Sequence, residues 1–188
     1  YPKSKIYGVE SEDAPTLFTA LKHGKPTRLD QVGLFVDGCA VKKIGEETFK
    51  ISKENVDDVI LVSIDETCAA IKDIYEDTRV MSEPAGALSV AGLKKFIKQN
   101  NIKGKIIFAV NSGANLNFDR LRHVTERAEI GEGKEVLLSV KIPEKSGSFR
   151  SFCEVIGRRS VSEFNYRYAN DNSANVFVGI KTDNIQKD

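Results

Sequence analysis

Residues 105–122 read KIIFAVNSGANLNFDRLR. The first six form an apolar run of strand length. The next seven are small and polar, and from Phe118 apolar residues recur at helical spacing. The stretch therefore reads as a strand over 105–110, a polar turn, and a helix over 118–131. In open α/β sheets, ligands sit outside the carboxyl ends of the strands, which is where Ser112, Gly113 and Ala114 stand. Gly113 lets backbone approach a ligand closely, and Ser112 offers one hydroxyl. The same residues also make an ordinary strand-to-helix turn with Asn117 as cap, and pattern alone leaves both readings open.

Working outward, strands and helices alternate. KIYGV (5–9) reads as a strand, followed by a helix over 13–24 with Asp13 as cap, Pro15 in its first turn and Gly24 as stop. A loop containing Gly33 and Gly38 leads to a helix over 45–56 and a β-branched strand over 58–63. Ser63 and Glu66 have capping-box spacing for a helix over about 64–79, with Ile64, Cys68, Ile71 and Tyr75 on one stripe. Another helix spans 82–100, with Pro84 near its start. This alternation predicts an α/β domain with a parallel sheet.

After Gly131-Glu132-Gly133 the pattern changes. A strand over 134–142 is followed by the turn PEKSGS. A short helix over 149–157 has Phe149, Phe152, Cys153 and Ile156 on its apolar side. VSEFNYRYA alternates, with Phe164, Tyr166 and Tyr168 on one face and Glu163, Asn165 and Arg167 on the other. After a turn at NDNS comes a strand over 174–181. The order β-α-β-β is the opening of a split βαβ unit without its second helix and last strand. The domain boundary is expected at about 132, giving domains 1–132 and 133–188.

Composition narrows the class. Twenty-eight basic residues against 27 acidic give a net charge of +1, so no one-signed field favours nucleic acid or a membrane surface. No apolar run approaches the roughly 18 residues of a membrane span. Cys39, Cys68 and Cys153 are too scattered for a disulfide framework or a CxxC site and read as reduced core thiols of a cytoplasmic protein. His23 and His123 lack metal-ligand spacing and read as surface helix positions. The chain opens at Tyr1 rather than Met and stops just after a strand, which reads as a piece of a longer protein.

Two further stretches carry candidate chemistry. In SEPAGAL, Glu83 precedes Pro84 at a helix start, where the helix dipole favours a carboxylate and a binding role is also open. In FVDGCAVK, Gly38 lets a flat ligand lie against main chain, although Asp37-Gly38 is also an ordinary turn.

Together, VGLFVDGCAVKKIGEETF, EPAGALSVAGLKK, SGANLNFDRLRHVTER and PEKSGSFRSFCEVIGRRSVSEFNYRY closely resemble the biosynthetic threonine dehydratase family, in the same order and over nearly the whole chain. The last segment separates the chain from shorter relatives such as serine dehydratase and serine racemase. The resemblance implies a tryptophan-synthase-β-like, fold type II pyridoxal-phosphate domain, followed by an incomplete α+β ACT-like unit. It implies pyridoxal 5'-phosphate as cofactor, L-threonine as substrate, 2-oxobutanoate and ammonia as products, isoleucine as allosteric effector, and a homotetramer. Ser112 matches the family's serine facing the pyridine nitrogen, Gly38 the glycine lining one face of the ring, and Glu83 the glutamate near the substrate side; Gly113 follows Ser112 in the same motif. In the regulatory part, Phe149 and Tyr166 are candidates to line an effector pocket and Arg167 to meet its carboxylate. Glu10 and Ala14 match two metal-binding positions of serine racemase, but the third, acidic there, is Thr16 here, and no metal is expected.

The family's Schiff-base lysine motif, glycine-rich phosphate loop and substrate-carboxylate asparagine motif do not occur in these 188 residues. All three lie upstream in the family order. The chain is thus expected to carry no catalytic lysine of its own and to be inactive alone. A non-catalytic amino-acid-sensing or assembly module, and a sibling β-eliminase acting on serine, are the alternatives.

Overall fold

The computed structural model describes residues 3–170 and 172–182. The chain ends, and Asp171 of the expected turn at 170–173, lie outside the described residues. The fold divides into two compact units, with the division between Gly131 and Glu132.

The first unit is mixed α/β. β1 (Tyr7–Ser11) pairs in parallel with β2 (Asp58–Val62), and α1 (Thr16–His23), a 3-10 turn at Asp37–Cys39 and α2 (Glu46–Asn55) lie between them in sequence. α3 (Ile64–Thr78), α4 (Pro84–Asn100), a second 3-10 turn at Phe118–Arg120 and α5 (Leu121–Gly131) follow. α4 packs on both strands, and α3 packs on α4 and α5. The core joins Val36, Val62, Cys68, Ile71, Leu88 and Val124. Fully burying an aliphatic side chain such as Val62 or Ile71 contributes about 1.5–3 kcal/mol.

Local signals explain the helix starts. The Ser63 hydroxyl accepts the Glu66 N–H at 3.1 Å, and the Glu66 carboxylate accepts the Ser63 N–H at 2.8 Å, completing the expected capping box. Glu66 also pairs with Lys95 Nζ at 2.9 Å, and Lys95 reaches Glu12 at 3.2 Å, joining α4 to the start of α3 and the end of β1.

Several expectations need correction. The run 105–110 is not a strand: no ladder partner lies beside it among the described residues, and Ile106, Phe108 and Val110 are exposed. Its last residue meets α4 instead, where the Ser89 hydroxyl donates to the Val110 carbonyl at 2.7 Å. Asp13 does not cap α1. Glu10, at the end of β1, accepts from the Leu17 and Phe18 N–H groups at 2.7 and 2.9 Å, while Asp13 accepts the Ser11 hydroxyl. Pro15 precedes the first turn of α1 rather than lying in it. Asn117 makes no side-chain cap; its carbonyl accepts the Arg120 N–H, which tightens residues 118–120 into a 3-10 turn. Tyr75 is 41% exposed, under the Arg79 guanidinium rather than in the core. Among the thiols only Cys68 is buried; Cys39 sits on an exposed turn, and Cys153 lies off the buried side of its helix.

The second unit has a three-stranded antiparallel sheet in the order β3 (Glu135–Pro143), β5 (Ser173–Lys181), β4 (Val161–Asn170). α6 (Ser148–Ile156) connects β3 to β4. Its Phe152 is buried with Ile142, Val176, Val178 and Ile180, and Ile156 packs against that cluster.

Candidate functional site

Three stretches distant in sequence meet in the first unit. The 3-10 turn carrying Gly38, the start of α4, and Val110 and Ser112 line one cleft of about 400 Å3, together with residues of β1. Gly38, Ala85, Ala14, Ser112, Cys39 and Glu10 are among its walls. Gly38 stands so close to α4 that a Cβ there would lie 2.9 Å from the Ala85 Cβ. The missing side chain thus lets the Gly38 backbone pack directly on the start of α4.

Ser112 is exposed in the cleft while its neighbours are fastened to α4. The Glu83 N–H donates to the Gly113 carbonyl at 3.1 Å. The buried Ser82 hydroxyl lies 2.7 Å from Asn111 Oδ1 and 3.0 Å from the Gly113 carbonyl. A Cβ on Gly113 would overlap the Glu83 carboxylate. So Gly38 and Ser112 share the cleft, Gly113 anchors Ser112, and Glu83 lies over Gly113 beside the cleft rather than among its lining residues.

Burial pushes the Glu10 carboxyl above its ordinary range, against the opposing pull of the Phe18, Leu17 and Thr16 N–H groups. Although Cys39 is exposed as a residue, desolvation of its thiol against the cleft wall raises its pKa, helped by the carboxylates of Glu10, Asp13 and Asp37. Sequence reasoning missed Cys39 and Ala85 as wall residues, although each lies within a motif already singled out. Tyr7, also in the lining, carries no local signal. Among the described residues, no group of three or more His, Cys, Asp or Glu side chains could hold a metal ion.

The second unit has an open groove of about 780 Å3 beside α6. Its floor includes Val140, Ile142 and Phe152, its turn wall includes Gly147 and Ser148, and Lys145 and Arg159 add positive charge. Phe149 and Tyr166 are not among its lining residues. They meet each other edge-on, ring centroids 6.0 Å apart, in a cluster with Phe152 and Phe164. Tyr166 donates its hydroxyl to Glu144 at 2.5 Å, an interaction that raises the phenol's pKa. Strand alternation puts Arg167 on the opposite face of β4, where its Nε donates to Asn165 Oδ1 at 3.3 Å. Phe149 and Tyr166 are thus brought together, and Arg167 is not. Lys145 and Arg159 were missed because isolated cations in a turn or near a helix end carry no spacing signal.

Residues 1–113 match the family model described as pyridoxal-phosphate dependent enzyme. The chain belongs to the pyridoxal-phosphate dependent enzyme family. Residues 126–188 match the C-terminal regulatory domain of threonine dehydratase. The chain is 57% identical over 180 residues to L-threonine dehydratase biosynthetic IlvA of Pasteurella multocida, covering 96% of this chain and 35% of that protein. It is 55% identical over 186 residues to the protein of the same name from Haemophilus influenzae, covering 99% and 36%. Among solved structures, the processed form of threonine deaminase isoform 2 from Solanum lycopersicum is similar, with a TM-score of 0.67, 40% identity, and coverage of 68% of this chain and 37% of that one. The chain spans about a third of the length of the curated relatives it matches.

The cleft residues fit the family's cofactor. A cleft of about 400 Å3 lined by Gly38 and Ala85 has room for a flat ring, and the exposed Ser112 hydroxyl offers a hydrogen bond to a ring atom. No helix among the described residues is long and apolar enough to cross a membrane.

Proposed function

We propose that the chain is part of a pyridoxal-phosphate-dependent threonine ammonia-lyase. Residues 1–132 form the C-terminal portion of its catalytic domain, and residues 133–188 begin its ACT-like regulatory domain. The observation that carries this reading is the meeting of Gly38 and Ser112 on one cleft. The overall reaction converts L-threonine to 2-oxobutanoate and ammonia in isoleucine biosynthesis. When bound, the cofactor supplies an electron sink for the pair left at Cα as its proton departs.

This chain's residues orient and tune. Gly38 would lie against one face of the ring. The Ser112 hydroxyl would hydrogen-bond the pyridine nitrogen. Being neutral, it does not hold a proton there as a carboxylate would, which limits electron withdrawal to what β-elimination needs. Ser82 holds the Gly113 carbonyl and the Asn111 side chain on either side of Ser112. Glu83 stands toward the substrate side. The Schiff-base lysine and the phosphate loop come from the rest of the full-length protein, which also covers the exposed apolar face of residues 106–110.

In the regulatory part, a small aliphatic amino acid, isoleucine, acts from a separate site, so that inhibition is a coupling free energy between two sites. An apolar floor with nearby serine and cationic groups suits such a ligand. The assembly is a cytoplasmic homotetramer. The test is 2-oxobutanoate release by the full-length protein with added cofactor, from L-threonine and, in parallel, L-serine. Higher kcat/KM for threonine is expected. Preference for serine moves the assignment to the sibling eliminase, and turnover of neither overturns it.

A further inference from the structure

Arg120 lies on the 3-10 turn that follows the Ser112 segment. Its guanidinium reaches back across the sequence to the loop bearing Gly38. Nη1 donates to the Phe35 carbonyl and Nη2 to Asp37 Oδ2, each at 2.9 Å. Between these acceptors Val36 is buried in the core, so the fork closes on an anchored stretch. One turn further on, the His123 ring packs against Phe35 at 5.2 Å.

The two sides of this clamp carry the two walls of the cleft. Asp37 is next to Gly38, and Arg120 closes the 3-10 turn that leads out of the Ser112 segment into α5. We propose that Arg120 is a positioning residue that, through Asp37 and the Phe35 carbonyl, fixes the distance between the Gly38 wall and the Ser112 wall and so sets cofactor affinity. The inference rests on the cofactor reading of the cleft. Arginine suits the task because its planar fork serves a carbonyl and a carboxylate at once, whereas a lysine ammonium serves as a point charge. The Asp37 side chain is largely exposed, so the ion pair itself contributes little to global stability. The effect therefore falls on the cleft rather than on the fold.

The test uses the full-length protein, titrated with pyridoxal phosphate at equilibrium, and the melting temperature of its cofactor-free form. Arg120→Ala and Asp37→Asn are each expected to weaken cofactor binding about tenfold, the order of losing one charge-assisted hydrogen bond. Cofactor-free melting should stay near wild type, and the double variant should bind no more weakly than the worse single one. Arg120→Lys should recover part of the loss. Wild-type affinity in Arg120→Ala, multiplicative losses in the double variant, or melting that falls in step with affinity would overturn the proposal. Ser112→Ala, at an exposed position of the cleft, separates the two levels. If it weakens binding while Arg120→Ala does not, only the clamp fails. If it too binds as wild type, the cleft reading fails and the clamp with it.

Discussion

Gly86 of α4 and Gly113 lie in backbone contact: a Cβ on Gly86 would stand 2.4 Å from the Gly113 carbonyl oxygen and 2.8 Å from its nitrogen. That contact, with the Glu83 N–H and the Ser82 hydroxyl beside it, seats the Ser112 segment on the start of α4. Gly86→Ala would gain about 1 kcal/mol of helix propensity. The overlap is with backbone, which cannot rotate away, and overpacking of this kind costs about 1–3 kcal/mol. The expected outcome is lower melting of the cofactor-free full-length protein together with weaker cofactor binding. An unchanged melting temperature with unchanged affinity would show that the contact does not hold the segment.

Glu10 supplies a second check. Its carboxylate accepts two N–H groups at the start of α1, so Glu10→Ala should cost about 0.5–2 kcal/mol, as loss of a helix cap does. Glu10→Gln keeps an acceptor and should cost less. The pH dependence has a definite sign. Burial raises the folded-state pKa above the ordinary 4.5, so the folded protein binds this proton more tightly than the unfolded chain. Stability from this group is then greatest below 4.5 and is lost as pH rises through the raised value. Melting curves of wild type and Glu10→Gln across the acid range should converge or cross in that direction. A wild-type advantage that grows with pH through this window would contradict it.

Much of this was legible where the cause is local. The Ser63–Glu66 capping box joins residues three apart, and the alternation of β4 sorts its faces without outside help. What stayed hidden depends on distance. Glu10 caps α1 from the end of the preceding strand, so the nearer Asp13 looked like the cap. Arg120 finds Asp37 across 83 residues, which no spacing rule links. KIIFAV has a strand's composition, but a strand exists only when a neighbour offers its ladder, and none lies beside it among the described residues. The motif segments located Gly38 and Ser112 individually; the fold set them on one cleft. The same limit applies to the second unit, where Phe149 and Tyr166 meet but Arg167 faces away.

Regulation is tested by truncation. A full-length protein cut after Gly133 is expected to keep threonine-dependent 2-oxobutanoate release and to lose inhibition by isoleucine. Steady-state rates with and without isoleucine measure both. A truncated enzyme still inhibited with unchanged potency would remove the regulatory assignment of residues 134–188.

The central claim is that Ser112 meets the cofactor ring from the cleft it shares with Gly38. Ser112→Ala removes one hydroxyl from an exposed position and leaves the surrounding hydrogen bonds of Asn111 and Gly113 in place. Loss of one net hydrogen bond is worth about 0.5–1.5 kcal/mol, or roughly two- to tenfold in rate or affinity. The most direct measurement is therefore threonine turnover and cofactor affinity of the full-length Ser112→Ala protein beside its cofactor-free melting curve. Reduced turnover, altered cofactor affinity and an unchanged melting curve are the predicted result. Wild-type turnover together with wild-type cofactor affinity would contradict it and leave Ser112 as a turn residue.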